Sequence, residues 1–155
     1  MTTPLKEPAA EPLGKVLEFM RVLWSLDHGL QSASKRMETR LGITGPQRVA
    51  LRIIGRRPGI SAGSLATTLH LHPSTLTGIL RRLESQGWVR RRADPSDGRK
   101  TLLWLTTAGL VMNESRAATV EAAVRRALAK MSDTQIANAR ALIERVVVEI
   151  ARDEE

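Results

Sequence analysis

Three helix starts in close succession, at Thr44, Ser61 and Pro73, most constrain what this chain can fold into. Thr44-Gly-Pro-Gln47 has the form of a capping box: a threonine hydroxyl takes the amide three residues on, and the glutamine returns to the threonine's own amide. The helix it opens runs through Val49, Leu51, Ile53 and Ile54 and is stopped by Arg56-Arg-Pro-Gly59. Ser61 reads as the next N-cap, with Ile60 and Leu65 at the positions of a hydrophobic staple, giving a helix over about 62–69. Pro73 suits a first helical position, where the N–H it lacks would be unpaired anyway. His72 stands where Asp, Ser or Asn is the usual cap, so this start is the least well marked of the three. The helix ends by Gly87. Trp88-Val-Arg-Arg, a polar turn and Thr101-Leu-Leu-Trp-Leu105 follow, which makes a helix-turn-helix with a two-stranded wing.

The flanks are helical too. Over 15–40, Phe19, Leu23, Leu26, Leu30, Ala33 and Met37 recur at steps of four and three, a heptad-like seam. After the wing, Thr106 or Thr107 caps a helix expected to run to about Lys130. Ser132-Asp-Thr-Gln135 is a second capping box, and Ile136, Ala139, Ile143, Val146, Val147 and Ile150 stripe the last helix. The expected class is therefore mostly α with a small β-wing. A flexible N-terminus (1–14) leads into a helical dimerisation region (15–43 and 106–151) around a winged helix-turn-helix DNA-binding domain (44–105). Both terminal stripes are longer than a small winged domain can cover, which points to a homodimer.

Charge and composition narrow the chemistry. Residues 47–100 hold eleven basic side chains against three acids, whereas the flanks carry thirteen of each sign, so the whole formal excess of +8 lies in the middle third. Confinement to one block meets the electrostatic requirement of a polyanion partner. There is no cysteine, so disulfides, thiolate catalysis and cysteine-rich zinc sites are excluded. The only histidines are His28, His70 and His72, with no carboxylate beside the last two, so no metal and no cofactor are expected. No Gly-rich phosphate loop, HExxH or nucleophile–base pair is present, and the chain does not read as an enzyme. No apolar run approaches the roughly 20 residues that span a bilayer, and the start lacks a secretory apolar region, so a cytoplasmic location is expected.

On the third short helix, Leu76, Ile79, Leu80 and Leu83 fall on one side; Ser74, Thr77, Gly78, Arg81 and Ser85 fall opposite, flanked by Thr75 and Arg82. A face of small, hydroxylic and basic residues lets a helix backbone lie close to the floor of a DNA groove, where hydroxyls and guanidinium groups bond base edges or phosphates. An ordinary exposed face carries Glu and Lys more often. In the wing, Arg91, Arg92, Arg99 and Lys100 are expected to gather round the Asp97-Gly98 tip, with the Asp97 carboxylate bracing the Arg99 guanidinium. Such a tip fits the electronegative minor groove.

The segment LHPSTLTGILRRLESQGWVRRRADPSDGRKTLLWLTTAG resembles the winged-helix multiple-antibiotic-resistance regulators, the MarR family. It matches the family's recognition helix, its Leu-Glu-x-x-Gly-x-Val-x-Arg exit, its Asp-x-Arg wing at Asp97 and Arg99, and its Leu-Thr-x-x-Gly helix entry at Leu105, Thr106 and Gly109. The resemblance spans about residues 16–150. It implies a homodimeric bacterial transcription regulator that binds a pseudo-palindromic operator and often releases it on binding a small, commonly aromatic, ligand; a repressor released in this way is expected here. Met20, Trp24 and His28, at steps of four on the first helix, form a candidate effector pocket, although Met and Trp at helical spacing are more often core. Two other readings stay open, a non-specific architectural DNA binder and a winged helix used for protein interaction. Operator sequence, target genes, sign of regulation and effector identity are not legible.

Overall fold

The computed structural model describes residues 12–152; most of the segment read as a flexible N-terminus lies outside them. Seven helices and three strands follow in order: α1 (Gly14–Leu41), α2 (Gly45–Arg56), β1 (Ile60–Ser61), α3 (Ala62–Leu69), α4 (Pro73–Ser85), β2 (Val89–Ala93), β3 (Thr101–Leu105), α5 (Thr107–Glu114), α6 (Val120–Leu128) and α7 (Asp133–Arg152). The fold is mostly helical with a small wing, as the sequence leads one to expect.

The caps work as the sequence dictates. Thr44 and Gln47 bond reciprocally, Ser61 Oγ accepts from the Ser64 amide at 3.1 Å, and Ser132 and Gln135 repeat the box ahead of α7. His72 caps α4 with a ring nitrogen, Nδ1 accepting from the Ser74 amide at 3.3 Å. That ring nitrogen takes the place of the missing side-chain oxygen. Leu51, Ile54, Leu65, Leu76, Leu80, Leu83 and Leu103 meet in the core of α2, α3, α4 and β3. Each contributes about 1.5–3 kcal/mol by leaving water.

Two expectations need correction. The wing is part of a three-stranded sheet in the order β1-β3-β2, in which Ile60 pairs with Leu103 and Ser61 with Leu102. The helix expected from Thr106 to Lys130 is broken: α5 ends at Glu114 and α6 begins at Val120. The break is imposed from outside. Arg48, buried on α2 with 1% of its surface exposed, donates to the carbonyls of Met112 and Ser115 and, through Nε, to Glu121 Oε1 at 2.7 Å. A cation on the last carbonyls of α5 satisfies groups with no helical partner, and Glu121 sits in the first turn of α6. Arg52 Nη1 adds a bond to the Asn113 carbonyl at 2.7 Å. Partial burial first, and Arg48 second, hold the Arg52 pKa below its ordinary value.

Gly109 joins this frame to the wing. Thr106 caps α5 by accepting the Gly109 amide at 3.0 Å and donates its hydroxyl to the Gly87 carbonyl. At that junction a Cβ on Gly109 would lie 2.0 Å from the Trp88 carbonyl oxygen. Met37 is buried near the C-terminal end of α1, but Leu26 and Leu30 of the same seam are exposed. In α7, all twenty residues escape burial, and Leu142, Ile143, Val147, Val148 and Ile150 are exposed.

Candidate nucleic-acid interface

α3 and α4 are joined by three residues, with His70 in the left-handed region at φ 50°. The turn is tied by the Leu71 amide donating to the Ala66 carbonyl at 3.0 Å. Leu76, Leu80 and Leu83 anchor one side of α4 in the core, which leaves the other side in solvent. Ser74, Thr75, Thr77, Gly78, Arg81 and Arg82 all lie on it and are all exposed. Thr77 Oγ1 donates to the Pro73 carbonyl at 2.8 Å, and Ser74 Oγ is 2.7 Å from His72 Nδ1. Both hydroxyls keep acceptor lone pairs for an outside donor. Around Gly78 the space is open, with no heavy atom within 4 Å of a built Cβ. Gly78→Ala is therefore expected to stabilise the chain by about 0.5–1 kcal/mol through helix propensity while weakening DNA binding through a methyl group on the reading face. Paired melting and binding curves check it; changes of the same sign would count against a close approach at Gly78.

Gly87, at φ 70°, ends α4, and β2 and β3 then run antiparallel from Val89 opposite Leu105 to Ala93 opposite Thr101. The tip is organised by its acids. Asp94 Oδ1 accepts from the Ser96 hydroxyl at 2.6 Å and the Ser96 amide at 2.9 Å, which lowers the Asp94 pKa from its ordinary value. This contribution is present above the unfolded carboxylate range and lost as pH falls through the lowered value. Asp97 does not brace the Arg99 guanidinium. Its Oδ1 accepts the Arg99 backbone amide at 3.1 Å, and its Oδ2 lies 3.6 Å from Lys100 Nζ. The carboxylate shapes the turn, leaving the arginine side chain to solvent.

Arg91 is also placed differently. It pairs with Glu84 at 2.7 Å, bracing the wing against the end of α4, and does not join the tip. Arg92, Arg99 and Lys100 remain exposed there. The basic block therefore divides: Arg48 is buried in the clamp, Arg52 is turned to Asn113, Arg91 is a brace, and Arg81, Arg82, Arg92 and Arg99 make no ion pair among the described residues. Sequence reasoning overlooked Arg48, Arg52 and Glu121. Arg48 stands three residues before buried Leu51 and six before buried Ile54, which was the available signal of a buried cation.

Met20, Trp24 and His28 line a shallow groove whose walls come from α1 and from Leu13 just before it, and Trp24 is 63% exposed. A deeper crevice of about 690 Å3 opens further along the helix, where Asp27, Leu30, Gln31 and Ser34 face Gly45, Val49, Leu69, Leu71 and Val120. It lies between α1, the helices α2 and α3 and the start of α6. Among the described residues, no cluster of His, Cys, Asp or Glu fit to hold a metal ion is found, and no helix is long and apolar enough to cross a membrane.

A model of the MarR family matches residues 43–101. The transcriptional repressor Rv2887 of Mycobacterium tuberculosis is 34% identical over 106 residues, covering 68% of this chain and 76% of that protein. This chain belongs to the MarR family. A second relative, the organic hydroperoxide resistance transcriptional regulator of Bacillus subtilis, is 29% identical over 93 residues, 60% of this chain and 63% of that one. Among solved structures, the DNA complex of MepR from S. aureus superposes with a TM-score of 0.71 at 18% identity, covering 85% and 97% of the two chains. PcaV from Streptomyces coelicolor, in complex with its natural ligand, gives a TM-score of 0.67 at 25% identity, covering 90% and 97%. The winged MarR architecture thus extends beyond the reading head into the helical arms.

Proposed function

We propose that this MarR-family chain is a homodimeric, sequence-specific regulator of transcription, a repressor released from its operator by a small ligand. The observation that carries the reading is the α4 face: Ser74, Thr75, Thr77, Gly78, Arg81 and Arg82 in solvent, beside a wing tip holding Arg92, Arg99 and Lys100. In this reading α4 enters the major groove, where Arg81 bonds a guanine edge, and the wing reaches the neighbouring minor groove. Asp97 acts there by shaping the turn, and Arg91 by holding the wing to α4.

Two copies are required to cover the apolar stripes of α1 and α7, which stay exposed in one chain. A two-fold axis through these arms sets two α4 helices about one DNA turn (roughly 34–36 Å) apart, and a pseudo-palindromic operator matches that symmetry. The name of the Mycobacterium tuberculosis relative, a repressor, supports the sign of regulation. For the effector, the crevice beside α1 supports a small ligand: its volume of about 690 Å3 is in the range of small-molecule sites. Met20, Trp24 and His28, the pocket expected from the sequence, line a separate shallow groove nearer the N-terminal end of α1 and none of them lines this crevice.

The test joins two measurements. Sedimentation at micromolar concentration should give a dimer, and a duplex obtained by in vitro selection should bind about a thousandfold or more tighter than a random duplex of equal length. Equal binding to both duplexes leaves an architectural protein, and no binding to either leaves an interaction module.

A further inference from the structure

We infer that Arg48 and Glu121 are positioning residues for DNA binding, which touch no DNA but fix the angle at which each reading head leaves the dimer arm. The inference rests on the dimeric DNA-binding reading above. The head is joined to α1 through residues 42–44, where the Gly45 amide donates to Ser34 Oγ at 2.7 Å, and to α6 and α7 through residues 115–119, a stretch without helix in which Ala118 takes a left-handed φ of 59°. Such a joint does not set an angle by itself. Across it lies the clamp. Arg48, on α2 of the head, donates to carbonyls at the end of α5 and holds the Glu121 carboxylate of α6 through Nε and Nη2, both at 2.7 Å.

A guanidinium is suited to this because its five donors are fixed in one plane. Acceptors on two elements, met by a donor fork on a third, leave little freedom of rotation among them. Stability by itself does not call for the pair, since well-packed apolar replacements of buried ion pairs are often neutral or stabilising. Arg48 is in addition the one charged side chain among the described residues that is fully buried, and its carboxylate partner is 73 residues away in sequence.

The natural absence of cysteine allows the angle to be read directly. Gln86, exposed just past the end of α4, is replaced by cysteine and spin-labelled, and dipolar spectroscopy reports the distance between the two heads. The native pair should give one narrow distribution. Glu121→Gln, and separately the double replacement Arg48→Met with Glu121→Leu, should broaden or shift it and weaken binding to the selected duplex at least tenfold. The double variant should keep its helical circular dichroism and its dimer in sedimentation, which separates positioning from folding. A folded double variant with the native distribution and native affinity overturns the inference. A broadened distribution with no duplex bound even by the unsubstituted pair keeps the clamp and rejects the DNA-binding reading. A labelled native chain without dipolar signal is not a dimer and overturns both.

Discussion

Replacing Gly109 with alanine is expected to lower the thermal midpoint by roughly 10 °C. The added Cβ would stand 2.0 Å from the Trp88 carbonyl oxygen, with the Trp88 carbonyl carbon next at 2.9 Å. Neither neighbour is the end of a flexible side chain, so one backbone segment must move. Movement at Trp88 strains the exit of α4. Movement at Gly109 breaks its amide's bond to Thr106 Oγ1 and with it the cap of α5. Overpacking of this kind costs about 3 kcal/mol. Gly98→Ala serves as the control, because a Cβ there meets nothing within 4 Å. Paired melting curves decide the matter: equal midpoints for the two variants would mean that the close approach at Trp88 does not hold the wing to α5.

The second large effect concerns salt. Raising it from about 50 to about 200 mM is expected to weaken binding to any duplex by roughly a thousandfold or more, as for proteins that neutralise about six to ten phosphates. In the proposed interface Arg81, Arg82, Arg92, Arg99 and Lys100 supply the cations, and the proposed dimer presents each of them twice. Lys100 is held only loosely by Asp97, at 3.6 Å. Arg99→Ala should flatten the plot of log affinity against log salt by about one for each phosphate that the arginine no longer neutralises. Asp97→Ala should act more weakly and through the turn, since its carboxylate holds the Arg99 amide and not the guanidinium. A slope that Arg99→Ala leaves unchanged would remove the wing from the interface.

Local rules made much of this molecule legible. Thr44 and Ser61 marked helix starts because each cap is a bond within one turn, Pro73 because its missing N–H costs nothing at a first helical position, and the solvent side of α4 could be read because a 3.6-residue period separates Ser74, Thr77 and Arg81 from Leu76 and Leu80. The break between α5 and α6 was not legible. No proline or glycine interrupts residues 115–119, and the helix stops because a guanidinium from α2, 64 residues earlier in the chain, takes its last carbonyls. For the same reason β1 was overlooked: two residues carry no periodicity, and Ile60 and Ser61 become a strand only by pairing with β3. The pairing of Arg91 with Glu84 needed the angle between a helix and the strand leaving it. A count of basic residues therefore gave the sign of the surface but not which side chains supply it.

The twenty residues of α7 escape burial in one chain. Their order is thus tied to mass action, because a helix with no tertiary partner is marginal in water and its partner is present only at a given concentration. If dimerisation and operator binding are linked in this way, the DNA-competent species forms in proportion to the square of free chain when monomer predominates. Promoter occupancy then responds to copy number more steeply than simple binding allows. A twofold fall in chain concentration would then lower the DNA-competent species about fourfold with no effector at all.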